Sequence, residues 1–175
     1  MIILYVLLII VAIPLILALF VKKDYSVERE IVISKPKFTV FDYLKYLKNQ
    51  DNFSKWATMD PNMKKEYYGT DGTVGFVSAW DSDDKNIGKG EQEIKKINEG
   101  NRIDYEIRFI KPFAGIANAY MTLNSTTNNA TIVNWGFDSK MKYPMNLMLL
   151  FINMEKMIGN DFSTGLSTLK KVLEK

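Results

Sequence analysis

Strand alternation turns three polar side chains toward the inside of this chain: Ser78, Gln92 and Tyr105. Chemistry in a buried site would begin with them. A phenol can donate a proton, and a hydroxyl or an amide can hold a carbonyl in place. What they lack is a partner. The 175-residue sequence contains no histidine and no cysteine. That removes the commonest general base, the commonest metal ligand and every thiol nucleophile. It argues against hydrolytic triads and zinc chemistry. An acid–base pair would need Tyr105 as the acid and a carboxylate as the base, and no spacing in the sequence brings two such groups together. The acidic run Asp81-Ser82-Asp83-Asp84 resembles a calcium loop only superficially. The turn glycine and the distal glutamate of that motif are missing, so it reads as a solvated hairpin tip. No catalytic residue, metal ligand or cofactor is expected.

The charge balance excludes another class. Twenty-three basic and 20 acidic residues leave a net charge of +3. No basic stripe is interleaved with aromatics, so a nucleic-acid partner is not expected.

The elements that must position these side chains divide the chain in two. Met1 to Val21 carries no charged side chain, and Lys22-Lys23 comes at once after it. Twenty-one helical residues rise about 1.5 Å each, which matches the hydrocarbon core of a bilayer. A secretory signal or a buried soluble helix are the other readings of such a run. The missing basic n-region and cleavage motif favour an anchor. Residues 1–21 are therefore expected to meet the lipid bilayer, with residues 1–23 as the anchor. The two lysines bias the following domain, 24–175, toward the cytoplasm.

Within 24–175 the pattern predicts a strand over Tyr25–Ser34 and a short helix over about 37–48. A second short helix or turn is expected over Asn49–Trp56. Strand-like stretches then occur at Met63–Tyr68, Val74–Trp80, Gly88–Ile97, Arg102–Ile110, Ile116–Leu123 and Ala130–Ser139. Tight turns between them imply antiparallel neighbours. Apolar residues from Leu147 to Leu173 step in threes and fours, which predicts one amphipathic helix over Met145–Lys175. Gly159 and Gly165 within it would let it approach the sheet closely. One helix cannot cover about seven flat strands, so the sheet must curl around it. The fold class is α+β: a curved antiparallel sheet wrapped around a long C-terminal helix.

This order and its residues resemble the START-like SRPBCC superfamily, in the branch labelled polyketide cyclase/dehydrase-like. The resemblance is carried by the opening strand Tyr25–Ile33 and by Val40-Phe41-Asp42-Tyr43. It continues at Asn52-Phe53-Ser54-Lys55-Trp56, Asp60-Pro61-Asn62-Met63, Phe109-Ile110-Lys111-Pro112-Phe113, Tyr143-Pro144-Met145 and Met154–Phe162. The family often has tryptophan where Phe53 stands. The resemblance implies a helix-grip fold with an internal apolar cavity. Members bind lipids, sterols, polyketides or other apolar ligands, and a few are enzymes.

Alternation nominates the lining of such a cavity. Phe76, Ser78 and Trp80 share one face with Val74, and Gln92 faces inward beside Gly90. Tyr105 and Phe109 come next, then Ala119 and Met121, then Trp135. Phe151 and Met154 are expected from the long helix. Two readings of these residues are open, a filled core and a cavity. Small residues make room, while large aromatics with one polar atom can orient a ligand. The expected function is a membrane-anchored domain that binds a hydrophobic small molecule or lipid. The alternatives are a protein-interaction or stress-related accessory module and, less favoured, a cyclase- or dehydratase-type enzyme. No protein partner is identified.

Overall fold

The structure is a computed structural model that describes residues 2–127 and 129–175. It opens with helix α1 (Ile2–Phe20), whose residues Ile3–Phe20 have a mean hydropathy of 3.2. By length and composition α1 can cross a membrane, and only 6% of that stretch is covered by the rest of the chain. That counts against a buried soluble helix. Pro14 sits inside α1, a position that a membrane span tolerates.

Strand β1 (Asp24–Ile33) comes directly after it. Then come α2 (Lys37–Leu44), a 3-10 turn (Leu47–Asn52) and α3 (Lys55–Thr58). The helix expected over 37–48 thus ends four residues early. Asp71 holds the start of the 3-10 turn beyond that break. Its carboxylate accepts from the backbone N–H groups of Leu47 and Lys48 at 2.7 and 3.2 Å.

Six more strands complete the sheet: β2 (Lys64–Tyr68), β3 (Val77–Asp81), β4 (Lys89–Asn98), β5 (Arg102–Lys111), β6 (Gly115–Thr127) and β7 (Ala130–Lys140). The seven strands are antiparallel in the order β1-β7-β6-β5-β4-β3-β2. Two register shifts bend β4 against β5, one at Lys89/Gly90 and one at Ile94/Lys96. After the second, inward positions pass from even to odd numbers, and Ile97 pairs with Ile103. Val74 does not join β3. It lies exposed in the loop before the strand, where Gly75 takes a φ of 89°.

The long C-terminal helix is shorter than its apolar spacing suggests. Met145–Leu150 form a second 3-10 turn, and α4 runs from Met154 to Leu173. Asn153 sets the start, because its side chain accepts the Lys156 N–H at 2.8 Å. Phe151 therefore falls outside α4 and is 84% exposed, so it does not line the interior as the spacing suggested.

Helix α4 lays Ile158, Phe162, Leu166 and Leu169 against the sheet. Phe162 stacks on Trp135 of β7, with ring centroids 4.4 Å apart and planes at 14°. Gly165 permits this approach, since a Cβ there would lie 2.9 Å from the Trp135 ring and 3.3 Å from the Phe53 carbonyl oxygen. Gly159 lies under the Arg29 guanidinium, which reaches Glu155 at 2.7 Å and ties α4 to β1.

Leu169 is fully buried, and truncating it to alanine is expected to cost about 2–5 kcal/mol. Phe151→Ala, at an exposed position, should stay within about 0.5 kcal/mol of the parent in detergent. Denaturant unfolding of the full chain checks both, and a large loss at Phe151 would contradict the break before α4.

Candidate functional site

Between the concave face of the sheet, the N-terminal half of α4 and the short helices lies a cavity of about 280 Å³. Its walls are mainly apolar. The sheet supplies Ile107, Phe109, Ala119 and Phe137, and α4 supplies Met154, Ile158 and Phe162. Trp135 closes one side, held edge-on by Phe53 and Trp56 at centroid distances of 5.7 and 6.4 Å. Trp80 stands on another side, edge-on to Phe109 at 6.4 Å. Gly90 makes that placement possible. It pairs with Trp80 across the strands, and a Cβ there would come within 2.5 Å of the indole and 2.7 Å of the Arg108 carbonyl oxygen.

Seven of the residues nominated by alternation line this cavity: Ser78, Trp80, Gln92, Phe109, Ala119, Trp135 and Met154. Phe76, Tyr105 and Met121 do not. They lie in the packed core together with Phe41 and Leu44. Alternation assigns a side chain to a face, but it cannot say whether a helix lies pressed against that face or stands away from it. Phe151 is at the surface, because the chain breaks before α4 begins.

Part of the wall, including three of its polar residues, comes from short segments with no strand or helix period to read. Gln50, Asp51 and Ser54 enter from the first 3-10 turn and its end, and Trp56 from α3. Gln50 is buried beside the Tyr105 hydroxyl, yet neither Gln50 Nε2 nor Tyr105 Oη reaches a partner at hydrogen-bond geometry. Burial pushes the Tyr105 hydroxyl far above its ordinary range, so it stays protonated. No carboxylate is bonded to it. The acid–base pair considered for Tyr105 is therefore not assembled here.

Asp51 is the centre of a second polar group. Its carboxylate accepts from Lys65 Nζ at 2.8 Å and from the Tyr67 hydroxyl at 2.8 Å, while Lys65 also donates to the Ala57 carbonyl at 3.2 Å. These bonds bind the 3-10 turn and α3 to edge strand β2, and they set a charged pair at the cavity wall. Desolvation, and then the bond to Asp51, raise the Tyr67 hydroxyl from about 10 to about 12. The acidic tip at Asp81–Asp84 is tied internally. Lys89 reaches Asp81 at 2.7 Å, and Asp84 Oδ1 accepts the Asn86 N–H at 2.8 Å. No cluster of three acidic residues fit to hold a metal occurs among the described residues.

A seven-stranded sheet gripping one long helix over an apolar cavity is the helix-grip architecture. No family model matches the chain, and no curated protein is matched by its sequence. Solved structures are matched by shape. A protein from Thermobifida fusca superposes with a TM-score of 0.64 at 14% identity, covering 85% of this chain and 92% of its own. Norcoclaurine synthase from Thalictrum flavum, in complex with dopamine and hydroxybenzaldehyde, gives 0.62 at 9% identity and covers 86% of each chain. The Aha1 dimer of Colwellia psychrerythraea gives 0.59 at 13% identity, covering 86% of this chain and 96% of that one. At such identities the likeness establishes the fold.

Because the folded state raises the Tyr67 pKa, its neutral form stabilises the fold below pH ~10, the ordinary tyrosine value. That contribution is lost as pH climbs from about 10 through about 12. Tyr67→Phe is expected to make unfolding free energy fall less steeply across this window. Denaturant titrations at stepped pH measure the slope, and equal slopes in both proteins would show that the Tyr67 hydroxyl ionises as it does in water.

Proposed function

We propose that this chain is a membrane-anchored START-like domain that holds a hydrophobic small molecule or a lipid chain in its internal cavity. The observation that carries the reading is the cavity itself. Aromatic and aliphatic side chains make up most of its wall, and Gln50 places an amide on it. A largely apolar enclosure with a few placed polar groups is the usual form of a small-molecule site. Its volume suits a small ring system or part of an acyl chain better than a whole two-chain phospholipid. The fold neighbour that carries dopamine and hydroxybenzaldehyde holds occupants of that scale. The Gln50 amide would pair with a carbonyl or hydroxyl on the occupant, while the Asp51–Lys65 pair gives the wall a second polar point.

Helix α1 would keep this domain at a bilayer, and Lys22-Lys23 would place it on the cytoplasmic side. Such an arrangement suits a ligand that partitions into lipid, because the domain samples a surface where that ligand is concentrated.

Native mass spectrometry of the full chain released from detergent, followed by organic extraction, tests the reading. The expected result is a bound mass that extraction removes. Ala119→Leu adds an isopropyl group to the cavity wall and should cut that occupancy at least tenfold while leaving far-ultraviolet circular dichroism unchanged. Absence of any bound mass, together with failure to bind a fluorescent fatty-acid analogue, would overturn the proposal.

A further inference from the structure

A second apolar surface lies outside the cavity, at the foot of α1. The 3-10 turn Met145–Leu150 packs against the end of that helix. Asn146 is fully buried there, and its Nδ2 donates to the carbonyl oxygens of Ala18 and Val21 at 2.7 and 2.9 Å. The last carbonyls of a helix have no partner within it, so this one amide both closes α1 and clasps the turn to it. The residues after Asn146 are turned outward. Met148, Leu150 and Phe151 are exposed, as is Phe20 on the helix end beside them.

Neighbouring elements extend this surface. Ile116, at the start of β6, is exposed and shares a shallow cleft with Lys22. The sheet register explains why they meet. Ala117 pairs with Ser139, and Ser139 pairs with Tyr25, so the β5–β6 turn and the foot of α1 lie at the same end of the sheet. Phe113 in that turn is exposed too. Lys22, Lys23 and Lys142 are exposed around this apolar group. Apolar tips with lysines behind them, continuous with an apolar helix of spanning length, match the boundary between acyl chains and anionic headgroups.

We propose that Tyr143–Phe151 is a membrane-seating segment, which dips its apolar side chains into the leaflet at the foot of α1 and takes an anionic phospholipid surface as its partner. The proposal rests on reading α1 as a membrane span. Asn146 sets the depth, since it fixes the segment relative to the helix end. Helix α4 begins three residues after Phe151, and its first turns carry the cavity-lining Met154 and Ile158. Seating the segment therefore holds that cavity wall against the lipid instead of leaving the domain to swing on a tether.

The absence of cysteine makes the test direct, because one introduced cysteine takes a single nitroxide label. Phe20→Cys, Phe151→Cys and Phe38→Cys each replace an exposed side chain. Phe38 lies in α2, beyond the other end of β1, and serves as the water reference. The labelled full chains are placed in vesicles of phosphatidylcholine with phosphatidylglycerol. Label collisions with oxygen, which concentrates in lipid, are compared with those of a water-soluble nickel chelate. The labels at 20 and 151 are expected to favour oxygen, and the label at 38 to favour nickel. In the Phe151→Cys chain, Asn146→Ala should lower the oxygen-to-nickel ratio several-fold. A label at 20 in lipid with one at 151 in water would overturn the seating proposal and leave the anchor standing. Both labels in water would overturn the anchor reading, and the seating proposal with it. Dipolar broadening between labels at 151 would overturn it in favour of a second copy covering the surface. An unchanged ratio in Asn146→Ala would overturn the role given to that residue.

Discussion

The stack of Phe162 on Trp135 is the contact on which the rest of this architecture depends. A curved sheet and one helix can meet closely only where both surfaces give way, and here Gly165 does so on the helix side. C-terminal to the stack, α4 lies tight on the sheet, and Leu166 and Leu169 are buried. N-terminal to it, the cavity is lined by Met154 and Ile158. The aromatic pair stands where the packed core meets the cavity. The same residues also line the cavity, so stability and the shape of the site are not separable at this point.

Polar groups are distributed to match this division. A cluster of ion pairs lies along β4 and β5. Arg108 is shared among Glu91, Glu93 and Glu106, and Tyr120 lies over Gly136 with its hydroxyl donating to Glu28. The Glu91 and Glu93 pairs cross from β5 to β4, Glu106 lies on the same strand as Arg108, and each pair is of modest worth. Inside, several of the polar residues at the cavity, Gln50, Asp51 and Ser54, come from the segment between α2 and β2. That segment is held from both directions, by Asp71 on the backbone of Leu47 and Lys48 and by Lys65 and Tyr67 on Asp51. It is also tied to α4, since Lys55 pairs with Asp161. The cavity therefore has a wall built by side-chain bonds instead of by a continuous sheet or helix, and specificity for an occupant is most readily varied there.

The strand alternation could be read in advance because a half-buried strand must present apolar side chains every second residue. Most of the nominated lining residues that do face the cavity come from that rule. It fails at three kinds of place. A bulge moves the phase, as between Ile94 and Lys96 of β4. A 3-10 turn or a single helical turn is too short to show a phase, and so Gln50, Asp51 and Trp56 are invisible as lining residues. A helix start is set by a cap, and Asn153 ended a run of apolar spacing that otherwise extended back to Leu147. The last of these carried Phe151 from the interior to the surface.

The sequence by itself determined the division into an apolar helix and one α+β domain, the order of strands and helices, and the absence of histidine and cysteine chemistry. All of these depend on local periodicity or on composition, which a chain carries whether or not it is folded. Only the tertiary structure decided that Tyr105, Met121 and Phe76 belong to the core while Ser78, Gln92 and Ala119 face a cavity. That choice depends on which side chains from separate elements meet, as Trp135, Phe162 and Gly165 do. The contact between Asn146 and the end of α1 is likewise tertiary, since its partners lie 125 and 128 residues away and no local pattern records them.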